Sequence, residues 1–383
     1  MTLNLKPYFS KFLSGHDGKH HFAAHSHHFW PDVTLDAQKK SWLDASHSSD
    51  QKWSKVFEEV IPDVQRHIAN TLNLPNPNSL AFAQNTHEFV LRLFSCFSTD
   101  KPIRVLTTDS EFHSFSRQLS RWEEEDIVIV KKIEAEPFES FTERFSSEAG
   151  NGDYDIIFLS QVFFNSGLIV QEIDKIVRSV PRKETFMIID GYHGFMAAPI
   201  DLEAIFDRAF YMAGGYKYAM AGEGCCFMHC PDGYGGRPVN TGWFAGFNSL
   251  EKKSDKCVEY AQGGQRFMGA TFDPSGLYRM RAVFHWLYEQ GISVADIHEH
   301  VASLQEVFLN GIGNTFLKGC SVLVTENRGN FVTFKTEEAE TFHRNLLDHK
   351  IITDFRGDRL RFGFGLYHGK EDVDLLLKKM TQV

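Results

Sequence analysis

Thr185-Phe-Met-Ile-Ile-Asp190-Gly-Tyr-His193 is the stretch whose reading decides the fold. A short apolar run closed by a carboxylate reads as a strand covered on both faces, with Asp190 at its carboxyl end. The same pattern recurs outward in both directions. Strands are predicted over 80–84, 103–107, 127–131, 155–160, 186–190, 209–213 and 225–229. Amphipathic helices are predicted between them, over 87–97, 112–122, 138–148 and 172–180. This alternation predicts an α/β fold with a large, mostly parallel sheet and helices on both faces. Ligands of such sheets bind beyond the carboxyl ends of the strands. Asp190, Ser160 and the turn Gln84-Asn85-Thr86 all fall at such ends, so they are expected around one crevice.

After residue 270 the pattern changes. Two long helices (275–289 and 294–311) precede strands at 322–325, 331–335 and 360–364 and a closing helix over 371–380. This predicts a smaller α+β domain. The expected division is an N-terminal segment, 1–50, contributing to the small domain and the substrate pocket. A large cofactor domain, 51–270, and a small C-terminal domain, 271–383, follow.

Composition excludes some partners. The net charge of −10 argues against nucleic acid and against an anionic membrane surface. The first residues, Met1-Thr-Leu-Asn-Leu-Lys-Pro-Tyr, lack the apolar core of a signal peptide, and no apolar run is long enough to span a bilayer. The six cysteines have neither disulfide-scaffold nor zinc-ribbon spacing, so a reducing cytoplasm is the expected location.

The second informative stretch is Gly214-Gly-Tyr-Lys217-Tyr218. A strand-end carboxylate followed by a lysine is what a pyridoxal phosphate (PLP) enzyme requires. The lysine amine holds the cofactor aldehyde as a Schiff base, and the carboxylate keeps the pyridine nitrogen protonated. No Gly-x-Gly-x-x-Gly follows the first sheet strand, which argues against a dinucleotide-dependent dehydrogenase.

Several motifs in order carry a family resemblance. Tyr216-Lys217-Tyr218-Ala-Met-Ala-Gly222-Glu-Gly224, Asp190-Gly-Tyr-His193 and Gly242-Trp243-Phe244 resemble elements of the kynureninase and class V aminotransferase branch of fold type I PLP enzymes. The resemblance runs from about residue 20 to the end. It implies Lys217 as the cofactor lysine, Asp190 as the partner of the pyridinium nitrogen and His193 beside the ring. It implies a phosphate cup from Asn85, Thr86, Tyr216 and Trp243, with Thr271 reaching the phosphate from a neighbouring subunit of a homodimer. Asn85 and Thr86 also suit a plain helix N-cap, and one turn can serve both purposes. Phe112 matches the aromatic that stacks on the ring, although core packing is a rival role in a protein with 35 Phe. Ser160 corresponds to a residue near the phenolic oxygen. Arg361 resembles the arginine that grips the substrate α-carboxylate. His25 and Ser26 lie in Ala24-His25-Ser26-His27-His28, where the resemblance implies a substrate wall. Six histidines over 16–28 invite a zinc reading, but no other ligands complete the set, and no metal is expected.

The expected reaction is at the α-carbon of an amino acid, most of all class V transamination. Hydrolysis of a carbon–carbon bond in the substrate's side group, as in kynureninase, is the second expectation, and a silent cofactor-binding protein the third. The sequence departs from kynureninase where Ala-His-Ser-His-His replaces Gly-Asn-Ser-Leu-Gly. Desulfuration is disfavoured because Asn327-Arg-Gly-Asn-Phe-Val, ahead of Arg361, holds no cysteine.

Overall fold

The computed structural model describes residues 3–98, 100–249 and 257–382. The strands in sequence order are β1 His20–His21, β2 Leu80–Ala83, β3 Ile103–Thr108, β4 Val128–Ile133, β5 Ile156–Ser160, β6 Phe186–Asp190, β7 Ala209–Ala213 and β8 Cys226–His229. They continue with β9 Ser321–Val322, β10 Phe331–Lys335, β11 Ile351–Ile352, β12 Asp354–Arg356 and β13 Arg359–Gly363.

The large sheet has the order β2-β8-β7-β6-β5-β3-β4. Pairing is parallel from β4 through β7, and β8 runs antiparallel to both β7 and β2. Strands β5 and β7 are buried at every residue, and β6 opens only at Asp190. These are the apolar runs of the sequence, hidden by helices on either face; Phe115 of the helix His113–Glu124 stacks on Phe158 of β5 with ring centroids 3.6 Å apart. Ser160 and Asp190 are register partners at the ends of β5 and β6. Their side-by-side placement follows from parallel pairing alone.

Boundaries differ from expectation by a few residues where caps act. The helix expected from residue 87 begins at Thr86, because the Asn85 side chain accepts the Glu88 N–H at 3.0 Å. The last large-sheet strand begins at Cys226, not Cys225. The strand expected over 322–325 is only the pair Ser321–Val322.

The second sheet, β12-β13-β10-β9, is antiparallel. The N-terminal segment joins it: β1 pairs in parallel with β11, and Ala23 bridges to Gly363. Two N-terminal helices, Val33–Ser48 and Ile61–Leu72, are additions to the sequence reading. The first buries Thr34, Ala37 and Ser41. The helix Ser275–Glu289 reaches it through Arg279 on Gln38 and through the Tyr278 hydroxyl, 2.9 Å from Asp44. No helix among the described residues is long and apolar enough to cross a membrane.

Candidate active site

A cavity of about 1220 Å³ opens beyond the carboxyl ends of β5 and β6. Asp190, His193, Ser160 and Lys217 line it, as do Tyr216 and Phe112. Asn85 and Thr86 reach it from the start of their helix. Residues spread over more than a hundred positions thus meet at one crevice.

Lys217 follows β7 through Gly214 and Gly215. A Cβ at Gly214 would collide with Tyr192 and Cys226, so this tight turn is reserved for glycine. The lysine is buried, its Nζ 4.8 Å from the Tyr192 ring centre and 5.5 Å from those of Phe112 and Tyr216. Burial is the largest influence on its amine and pushes the pKa down to about 7; Asp190 opposes this and Arg361 adds to it. A buried amine titrating near neutrality is a nucleophile and a proton carrier.

Asp190 Oδ1 accepts the Tyr192 N–H at 2.8 Å. Oδ2 takes no hydrogen bond among the described residues. Burial pushes this carboxyl above its ordinary range, against the pull of the Tyr192 N–H and Lys217. A cationic ring nitrogen beside Oδ2 would offset that cost, so the pocket fits a pyridinium. His193 is held well below its ordinary pKa by burial, with Lys217, His25 and Arg361 adding to the effect, and is therefore neutral.

Glu111 is a functional candidate absent from the sequence reading. It is buried and accepts hydrogen bonds from Thr108 Oγ1 at 2.7 Å, from Ser160 N at 3.3 Å and from Ser160 Oγ. Burial lifts it to about 7 against the pull of those hydroxyls. The only hint in sequence is an acid just before Phe112 in a strand-to-helix turn.

Arg361 lies behind the cavity wall rather than on it. It is buried in β13, its Nη1 donating to the Phe164 carbonyl and its Nη2 to Asp354 Oδ2. Phe164 itself lines the cavity. Burial lowers the arginine to about 10, with Asp354 opposing. His25 is fully buried next to it, stacked on Phe331 with centroids 4.4 Å apart. Ser26 is directed elsewhere than expected: its Oγ lies 3.2 Å from His27 Nδ1 and it does not line the cavity. His27 instead stacks on Tyr216 at 4.8 Å, at the rim.

Trp243 and Thr271 lie apart from the rest of the expected phosphate cup within one subunit, and Thr271 is expected to act from a neighbouring subunit. Neither lines the Lys217 cavity of its own subunit. Trp243 Nε1 donates to Thr271 Oγ1 at 3.2 Å, and Thr271 borders a separate cleft that shares Gln84. The histidines over 16–28 form no metal cluster among the described residues. Among the described residues the one cluster of three such groups, Asp63 with His67 and His285, is already ion-paired to Arg281 and Arg66.

A family model for class-V aminotransferases matches residues 29–376. The chain belongs to the class-V aminotransferase family. Pyridoxal phosphate is the cofactor of that family. Solved structures of similar fold include C-DES with glycine covalently linked to the PLP cofactor (TM-score 0.82, 15% identity, 96% of this chain and 97% of that one). The cystine C-S lyase C-DES in complex with cysteine persulfide is similar too (TM-score 0.79, 15% identity, 96% and 98%). So is the apo cysteine desulfurase of Thermococcus onnurineus NA1 (TM-score 0.77, 15% identity, 95% and 94%). No curated protein sequence matches this one. The described geometry of this class-V member fits the cofactor, with a buried amine, a carboxylate oxygen without a partner and an aromatic face around one cavity.

Proposed function

We propose that this class-V enzyme uses pyridoxal phosphate to act at the α-carbon of an amino acid, with transamination as the reaction put first. The observation that carries the proposal is the buried amine of Lys217, caged by three aromatic rings and titrating near 7, in one cavity with Asp190. Lys217 would hold the cofactor, Asp190 would pair with its ring nitrogen and Phe112 would cover its face. The helix start at Asn85 and Thr86 is the anion end of the site, through its free amides and dipole. When bound, the protonated ring accepts electrons from the α-carbon. The amine of Lys217 would then carry the proton away from that carbon, and neutral His193 would leave the charge balance between Lys217 and Asp190 undisturbed.

Hydrolysis of a kynurenine-type substrate is the second reading, favoured by the cavity volume and its open, polar flank along His113–Glu124. Sulfur transfer through a protein persulfide is unsupported by the site. Cys226 is the cysteine in the cavity lining, and burial pushes its thiol up to about 12, the opposite of an activated nucleophile.

The test is product analysis with an amino-acid panel that includes kynurenine and cystine, with and without a keto-acid acceptor. Keto-acid formation that depends on the acceptor supports transamination. Anthranilate from kynurenine would put the hydrolase first, and persulfide from cystine would displace both readings.

A further inference from the structure

The cavity has an outer flank that the proposed chemistry does not use. The helix His113–Glu124 supplies it, with His113, Ser114, Arg117, Gln118 and Arg121 among the lining residues. Charge on this flank is unevenly matched. Arg121 donates to Glu124 Oε2 at 3.2 Å and is also paired with Glu125. Among the described residues, Arg117 makes no hydrogen bond and no ion pair.

Helix spacing explains why Arg117 is left over. Neighbours on a helix surface lie three and four positions apart. For Arg117 these are His113, Ser114, Ser120 and Arg121, and none of them is an acid. The acids of this helix stand at its far end, where Glu124 already serves Arg121. The other charged groups of the lining are occupied as well. Glu223 has His27 Nε2 at 3.7 Å, and Asp190 and Lys217 act on each other. Among the described residues, Arg117 is therefore the lining cation without a counter-charge. It is exposed at the mouth of the cavity, so water hydrates it while no ligand is bound.

Its position suits a ligand that reacts at Lys217. Side chains on a helix lean back towards its N-terminus. Here that end is Phe112, whose ring centre lies 5.5 Å from Lys217 Nζ. Arg117 follows Phe112 by about 7.5 Å along the helix axis. Phe164 packs edge-on against both Phe112 and His113, with centroids 5.5 Å and 5.0 Å apart. The wall leading away from the Lys217 amine is thus aromatic first and cationic at its end.

We propose that Arg117 is a specificity-determining residue, and that the substrate is an amino acid whose side group ends in a carboxylate. The α-carbon lies at Lys217, the aliphatic spacer runs along Phe112 and Phe164, and the distal carboxylate meets Arg117. A planar guanidinium with its donors unused can take that carboxylate on two parallel N–H groups. An amide of the same shape offers one acceptor oxygen and no charge. This rests on the reading of the cavity as a site for α-carbon chemistry.

The test compares glutamate with glutamine and aspartate with asparagine, pairs that differ in little but the distal charge. Each reacts with the holoenzyme in the absence of an acceptor, followed by the absorbance of the bound cofactor. The expected result is a preference for the acid of about tenfold or more in at least one pair, carried by apparent affinity and not by the limiting rate. Arg117→Gln should bring that ratio close to one. Arg117→Lys, which keeps the charge but loses the fork, should retain part of it. Added salt should shrink the ratio in the wild-type protein and leave it unchanged in Arg117→Gln. No preference for the acids, or a preference that survives in Arg117→Gln, would overturn the assignment and leave the α-carbon chemistry standing. Reaction confined to other amino acids, kynurenine included, would overturn it in the same way. Reaction with no amino acid at all would sink the α-carbon reading and this assignment together.

Discussion

The two sheets meet the active site differently: Asp190 and Lys217 line the cavity, whereas Arg361, His25 and Thr333 lie behind its wall. On the large-sheet side, Asp190 has a backbone partner, Glu111 accepts three hydrogen bonds, and the amine of Lys217 sits among rings. On the second-sheet side, Arg361 is already paired with Asp354, and His25, Thr333 and the Nε of Arg361 are left without partners. On the large-sheet side Asp190 Oδ2, with no hydrogen bond among the described residues, and the Lys217 amine line the cavity, which suits a resident cofactor that supplies a cationic ring nitrogen and an aldehyde. A wall with unsatisfied buried groups is costly until a ligand supplies the missing partners.

The sharpest way to break this contrast is at Lys217. Lys217→Ala is expected to lower turnover by on the order of a thousandfold or more, since one group supplies both the cofactor tether and the proton carrier. Steady-state rates at saturating amino acid check it, and near-normal turnover would remove the large-sheet wall from the chemistry.

The next largest effect concerns the N-terminal segment that carries His25. Burial pushes His21 down to about 3 and His28 to about 4, from an unfolded-state value near 6.5. Both fold as the neutral form. Their contribution is fully present above pH 6.5 and is lost as pH falls through 6.5 towards 4, at up to about 1.4 kcal/mol per pH unit for each. Urea unfolding between pH 4 and 7 should show this slope. His21→Phe, which keeps a ring against Phe29 but cannot take up a proton, should make it shallower.

Glu111, which lies behind Ser160, tests the opposite sign. Its folded pKa, about 7, lies above its free value, so it favours folding while protonated and loses that contribution as pH rises from about 4.5 through 7. Glu111→Gln should match the wild-type protein near pH 5 and exceed it by roughly 2 kcal/mol at pH 8. Thermal melts at the two pH values decide it, and an equal difference at both would show that the shift is not what matters.

The smallest effect expected is at Gly363. A Cβ there displaces His25, so Gly363→Ala should raise KM for the amino acid by roughly tenfold with kcat little changed, because uniform binding alone is lost. A fall in kcat instead would connect His25 to the chemical step.

Sequence makes the two walls unequally legible. Asp190, Ser160 and Lys217 stand out because apolar strands deliver them to one sheet edge, and strand order follows from a local pattern. Glu111 does not, since its partner Ser160 lies 49 positions away and only the fold buries the pair. Asp354 and Gly363 acquire meaning only from antiparallel register with Arg361 and Phe331. The helix Val33–Ser48 is invisible for another reason: Thr34, Ala37 and Ser41 are too small or too polar to draw an apolar stripe.

The most direct test of the central claim is chemical. The protein loaded with pyridoxal phosphate is reduced with borohydride, digested, and the peptides are weighed. The account expects the pyridoxyl mass on the peptide containing Lys217, with no such adduct in Lys217→Ala. Adduct on a different lysine, or none at all in the wild-type protein, would contradict it.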